Sequence, residues 1–290
     1  MELLSDGKTW TRGELLAYDK ETSLYLASVR FKRSKKNGHH SSSSSSSSFI
    51  SIKSSEISSS KRLQKEAESL SDLQKCPQII DFYGDELTYE ENGSPVYNIC
   101  LEYASGGTLL DMIVDSNSIG LPAYDVRRFT KSILLGLRYM HQNGYVHRNI
   151  NPNSIQVFKS SSSLDVKIAD FRCAKKLKTE IRNTYRIGSP LYLAPEAINR
   201  YEQGPPGDIW ALGCTVVEMI SGKPAWRCCN SELDVSEILQ RIGSGVESPE
   251  IPDGISKEGR DFLRMCFVRY SNFRWTADML LHHPFVASIE

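Results

Sequence analysis

The sequence predicts an α+β chain in two parts, strand-rich to about residue 102 and mostly helical beyond it. Two patterns carry this. Short apolar–polar alternations crowd the first hundred residues around one helical stretch, and three- and four-residue spacing of apolar side chains dominates the rest. In chain order, LYLASVRF from Leu24 and FISIK from Phe49 alternate as half-buried strands do. Between them lie the basic run RFKRSKKNGHH and the tract Ser41–Ser48. Neither can bury apolar surface, so residues 32–48 are expected to form a long flexible loop. SSSKRLQKEAESLSDL reads as a helix, and two strand candidates follow, YNICLEY from Tyr97 being the clearer. After Gly106 and Gly107 the character changes. Val126, Phe129, Ile133, Leu137 and Met140 mark a helix with one buried face, VKIADF a buried strand, and DIWALGCTVVEMISG, RDFLRMCFV and TADMLLHH further helices. Two lobes with a cleft between them are expected.

Composition narrows the function. At 290 residues the chain is one large domain or two ordinary ones, and 40% hydrophobic with 24% charged residues excludes wholesale disorder. Lys+Arg 35 balance Asp+Glu 35, which argues against broad nucleic-acid binding. The basic run leaves two readings open, a nuclear-import or phosphate-binding patch and an ordinary charged loop, the second being favoured. Seven cysteines without C-x-x-C spacing read as reduced intracellular thiols rather than a zinc site, and the adjacent Cys228 and Cys229 as ordinary thiols. MELLSDGKTW lacks the pattern of a secretory signal, and IWALGCTVVEMI is too short to cross a bilayer. An intracellular, cytoplasmic protein is expected, with nuclear entry left open by the basic run.

Several segments in fixed order are more specific. FISIK with Lys53, LQKEAESL with Glu66, GYVHRNINPNS, VKIADFR, GSPLYLAPE, DIWALG and FRWTADMLLHHPF together resemble the eukaryotic protein-kinase domain, from about Trp10 to Phe285. The texture of ISIKSSE…LQKE, LEYASGGTL and GYVH is most similar to plant MAP kinase kinase kinases. The resemblance implies a bilobal kinase fold over residues 10–286, with an N-lobe of about 10–102 and a C-lobe of about 105–286. It implies that Lys53 pairs with ATP phosphates and with Glu66, and that Asp170 holds Mg²⁺. It further implies that backbone groups of Glu102 and Ala104 meet the adenine, and that Glu196 with Arg274 and Asp208 with Trp210 hold the C-lobe together.

Against that pattern the chain departs at the positions that carry chemistry. The three glycine positions of the phosphate loop are Ala17, Asp19 and Thr22, and Asp19 sets negative charge where phosphate charge belongs. The catalytic Asp position is Asn149, whose amide cannot accept a proton at neutral pH, at a cost of about 10²–10⁴ in rate where a general base matters. The lysine position is Asn151 and the second metal-ligand position is Ser154. Gln156 stands where an apolar residue would lie beneath the adenine, and Arg172 replaces a glycine beside Asp170. Arg148 is kept, and in the family it pairs with a phosphorylated activation-segment residue, for which Thr179 and Thr184 are candidates. A surviving switch and a merely solvated loop fit that segment equally well.

The expectation is a catalytically impaired kinase homologue that acts as a binding or allosteric module in a MAP-kinase-type cascade. Its partners would be proteins, chiefly kinases of that cascade, with neither nucleic acid nor membrane involved. The alternative is a weakly active ATP-dependent Ser/Thr kinase, and a decayed copy without function also fits. ATP and Mg²⁺ are the cofactors if nucleotide is bound at all; otherwise none is expected. No segment outside the kinase-like region reads as a regulatory domain, so partner choice is expected to reside on its own surface.

Overall fold

The computed structural model describes residues 2–3, 8–31, 48–117, 119–160, 163–177, 187–226 and 235–287. Nearly all of the expected 32–48 loop, Thr179, Thr184, Cys228 and Cys229 lie outside the described residues. The fold is α+β, a strand-rich N-terminal sheet followed by a helical region, as the hydrophobic periodicity predicts. It divides into two units, residues 1–74 with 80–104, and residues 75–79 with 105–290.

In the first unit, β1 (Glu2–Leu3), β2 (Lys8–Tyr18), β3 (Ser23–Phe31), β4 (Ser48–Glu56), α1 (Lys61–Leu73), β5 (Phe82–Tyr89) and β6 (Pro95–Glu102) follow one another. The six strands form one antiparallel sheet in the order β1-β2-β3-β4-β6-β5. Trp10, Ala27, Val29, Ile50, Ile52 and Cys100 make a buried apolar cluster, while α1 packs on β5 and β6 and buries Leu63, Leu70 and Leu73. The simple alternation expected for FISIK is not what β4 shows: Ile50, Ser51, Ile52, Ser54 and Ser55 are all buried. Strand β4 lies between β3 and β6, and its Ile50 and Ile52 join the apolar cluster. Buried Ser54 is bonded: its Oγ donates to Asn98 Oδ1 at 2.6 Å, and Asn98 Nδ2 to Thr88 Oγ1 at 2.9 Å.

The second unit contains α2 (Leu109–Asp115), α3 (Ala123–Gln142), β7 (Tyr145–Val146), β8 (Ile155–Lys159), β9 (Leu164–Ile168), β10 (Lys175–Lys176), α4 (Pro195–Asn199), α5 (Pro205–Ser221), α6 (Val235–Ser244), α7 (Lys257–Cys266), α8 (Ala277–Leu281) and α9 (Pro284–Ala287). The five apolar positions predicted for α3 are all buried. Helix α5 is buried continuously from Asp208 to Met219, which explains its nearly unbroken apolar sequence. Helices α2 and α6 went unread in the sequence. Helix α2 carries a capping box, with Thr108 N–H donating to Asp111 Oδ2 at 2.8 Å and Asp111 N–H to Thr108 Oγ1 at 3.1 Å. VKIADF ends as a strand at Ile168, because Asp170 turns into left-handed backbone. Residues 75–79, read as part of the first lobe, group with the second unit: Ile168 N–H donates to Gln78 O at 2.8 Å and Ile79 bridges Ile168. Among the described residues no helix is long and apolar enough to cross a membrane.

Candidate functional site

In the first unit, β2 and β3 meet in a turn at residues 19–22. Asp19 N–H donates to Thr22 O at 2.8 Å. Its carboxylate accepts from the N–H groups of Glu21 and Thr22, both at 2.8 Å, and from the Thr22 hydroxyl at 3.1 Å. Donors gathered in a turn suit an oxyanion, and here a side chain of the turn itself supplies it.

Lys53 on β4 reaches Glu66 on α1, Nζ to Oε2 at 2.8 Å, with the two side chains 11% and 1% exposed. At the end of β6, Glu102 N–H donates to Asp81 O at 2.9 Å, so this amide is not offered to a base. The bond leaves the Glu102 carbonyl as the backbone group that could meet a base. Ala104 is half-buried at the end of the same unit.

In the second unit the loop after β7 is organised by Asp208, buried in the first turn of α5, where a negative charge also meets the helix dipole favourably. Its Oδ2 accepts from His147 N–H at 2.9 Å and lies 2.9 Å from His141 Nε2, while Oδ1 accepts from Arg148 N–H at 2.8 Å. These bonds hold Arg148 at φ 65°, a region that costs a non-glycine residue about 1–2 kcal/mol. Gly188 lies against the same place, and a Cβ on it would sit 2.4 Å from Arg148 O. Only glycine fits there. The Arg148 Nε donates to Cys173 O at 2.7 Å.

His147 is buried, and burial pushes its pKa down, against the opposing pull of Asp208 and of a hydrogen bond to Ala169 O. The network assigns a neutral ring: Nε2 donates to Ala169 O at 2.9 Å, and Nδ1 accepts from Asn149 N–H at 3.3 Å.

Asn149, Asn151 and Ser154 all have their polar side chains engaged. Asn149 Oδ1 accepts from Ser189 N–H at 3.0 Å and from Ser189 Oγ at 3.1 Å. The hollow lined by Arg148, Asn149, Ser189 and Tyr192 measures about 20 Å³, room for roughly one water. Asn151 Nδ2 donates to Asn149 O at 2.8 Å and its Oδ1 accepts from Asn153 N–H at 3.0 Å. Ser154 Oγ accepts from Asn151 N–H at 3.0 Å and donates to Asn151 O at 2.9 Å. Both side chains are buried. Gln156 is half-buried on β8, bridged to Thr108.

Asp170 has left-handed backbone, φ 57° and ψ 63°, and starts a 3-10 turn over Phe171–Cys173. Arg172 on that turn faces back to it, Nε to Oδ1 at 2.6 Å and Nη2 to Oδ2 at 3.2 Å. Deeper in the unit, Arg274 meets Glu196 at two points, 2.7 and 3.0 Å, as the sequence implied. Tyr192 donates its hydroxyl to Glu218 Oε2 at 2.6 Å, and burial pushes both the Glu218 carboxyl and the Tyr192 phenol up from their ordinary values.

Residues 37–286 match the family model described as protein kinase domain. The chain belongs to the protein kinase family. The match begins after the β2–β3 hairpin whose turn carries Asp19. The chain is 41% identical to mitogen-activated protein kinase kinase kinase 20 of Arabidopsis thaliana over 281 residues, 96% of this chain and 78% of that protein. It is 37% identical to kinase kinase kinase 17 of the same plant over 96% of this chain and 70% of that one. To the relative named YODA it is 33% identical over 99% of this chain and 30% of that protein.

Protein kinases use ATP and Mg²⁺, which bridges and neutralises the phosphates. A divalent cation does not fit the residues as they are arranged: both oxygens of Asp170 carry an Arg172 N–H, and the Ser154 hydroxyl is enclosed in the loop. Among the described residues no three His, Cys, Asp or Glu side chains converge as a metal site. Lys53 with Glu66 does fit a phosphate-pairing role. Of the sequence-derived site residues, the structure joins Lys53 with Glu66 in one unit and gathers Arg148, Asn149, Asn151 and Ser154 into one loop of the other. Sequence reasoning missed the Ser189–Asn149 contact and the part of His141, neither of which has a local pattern to mark it.

Proposed function

We propose that this kinase-family chain is severely impaired in phosphoryl transfer and acts by binding, as a docking or allosteric module in a MAP-kinase-type cascade. The observation that carries the reading is Asn149. Its amide takes no proton, and its oxygen is already held by the N–H and hydroxyl of Ser189. Asn151 and Ser154 add to it, since both spend their polar atoms inside the loop. The relatives' names supply the partner class, kinases of such a cascade.

The alternative, a weakly active ATP-dependent Ser/Thr kinase, is favoured by the Lys53–Glu66 pair and by Asp170, because catalysis in this family is largely positioning and electrostatics. Phosphoryl transfer from labelled ATP to a general protein substrate separates the two readings, using the wild-type chain and Asn149→Asp. A carboxylate oxygen can accept both Ser189 bonds, so the variant keeps the local geometry. The impaired reading expects no turnover above background for the wild type; a large gain for Asn149→Asp would place the defect at that residue, and no gain would mean that it is distributed. Wild-type turnover that Lys53→Met abolishes would sink the impaired reading.

A further inference from the structure

We infer that Arg172 is the resident cation of the Asp170 carboxylate and closes that site to divalent metal. The inference rests on the impaired-kinase reading and identifies the residue that would make the loss of metal chemistry specific.

Three features of the second unit converge on it. Both carboxylate oxygens of Asp170 are engaged by one guanidinium, through Nε at 2.6 Å and Nη2 at 3.2 Å. A planar guanidinium matches a carboxylate at two points and cannot lose its charge at accessible pH. A metal ion placed on Asp170 would therefore sit beside a fixed positive charge, and coordinating either oxygen means displacing an N–H. The tether is also short. Arg172 lies two residues along, on the turn that the left-handed backbone of Asp170 begins, so the guanidinium competes as an intramolecular group of high effective concentration. Finally, the neighbouring candidate ligand is withdrawn. Magnesium demands several oxygens at about 2.0–2.1 Å, but Ser154 Oγ is buried between the N–H and carbonyl of Asn151 and uses its donor and an acceptor position there. One neutralised carboxylate and one enclosed hydroxyl make a poor cage for a hard dication.

Manganese is the probe, because free and bound Mn²⁺ are distinguished by electron paramagnetic resonance. The full chain is expected to show no saturable binding at millimolar Mn²⁺. Arg172→Gly and Arg172→Gln should each bind at least about tenfold more tightly, because a fixed positive charge beside the ion is removed, and Asp170→Asn added to either should remove the gain. Arg172→Gln keeps the bulk of the side chain, so a folding defect peculiar to the glycine variant does not decide the outcome, and both are checked for a cooperative melt. Saturable wild-type binding that Asp170→Asn abolishes would overturn the inference. So would the failure of both Arg172 variants to gain affinity. In parallel, thermal unfolding with ATP is followed in MgCl₂ and in EDTA: an equal shift in the two media, or none in either, agrees with a closed site, and a shift that requires Mg²⁺ contradicts it. Wild-type phosphoryl transfer would overturn the impaired reading by itself, so the two failures are told apart by different readouts.

Discussion

Two arginine–carboxylate pairs in the second unit have the same chemistry and opposite consequences. Arg274 and Glu196 lie 78 residues apart in sequence, with side chains 0% and 4% exposed. Arg274 also donates to the carbonyls of Val268 and Pro206 at 2.9 and 2.7 Å, and its guanidinium stands 5.1 Å from the Trp210 ring centroid. Arg172 and Asp170 lie two residues apart, at 30% and 21% exposure. The first pair forms only when α4 and the segment before α8 are in place, and removing one partner strands a buried charge. The second forms within a single turn and remains partly wet. Burial and chain separation, not bond geometry, decide whether such a pair holds the fold or only sets the charge of a site.

This contrast can be broken from either side. Arg274→Met should cost about 3–5 kcal/mol in urea denaturation, the scale for a buried charge left alone; a loss under about 1 kcal/mol would put the two pairs in one class. Asp208→Asn comes next, about 1.5–3 kcal/mol for weakened charge-assisted bonds to a buried group, with chemical shifts of the His147 and Arg148 amides reporting the change. Acid should act through His147. Burial holds it neutral, so the unfolded chain gains a proton that the native chain refuses as pH falls below the ordinary histidine value of about 6.5. Its share of stability is full above that value and declines below it, by at most about 1.4 kcal/mol per pH unit, and His147→Gln should flatten the decline in a pH series of melts. Glu218 works in the opposite sense. Its raised carboxyl favours the native state at low pH, and that contribution is lost as pH rises through the raised value. The smallest effect belongs to Arg172→Gln, within about 1 kcal/mol of wild type by the same urea assay; a loss several times larger would show that the local pair holds structure after all.

Much of this architecture was legible in the residues. The 3.6-residue spacing of Val126 to Met140 marked the buried face of α3, and the unbroken apolar run of α5 marked a helix covered all round. Helix α6 was overlooked although Val235, Ile238, Leu239 and Ile242 recur at helical spacing, and FISIK is a strand as read, but β4 buries Ser51, Ser54 and Ser55 along with its isoleucines. At the site, the unusual side chains at 19, 149, 151, 154 and 172 were plain from the order of motifs. What each had turned to was not. Asp19 binding its own turn, Asn149 held by Ser189, and Arg172 folded back on Asp170 depend on backbone directions that only the fold specifies.

The mutual embrace of Asn151 and Ser154 has a consequence for any single substitution in this loop. Lysine at 151 would strip Asn153 N–H of its acceptor and Asn149 O of a donor, and asparagine at 154 would remove the hydroxyl that serves both the N–H and the carbonyl of residue 151. Each single substitution thus meets a loop bonded around the present residue, and a double-mutant cycle should return a coupling of about 0.5–3 kcal/mol. The two positions are therefore energetically coupled, and a change at either is best made together with a change at the other.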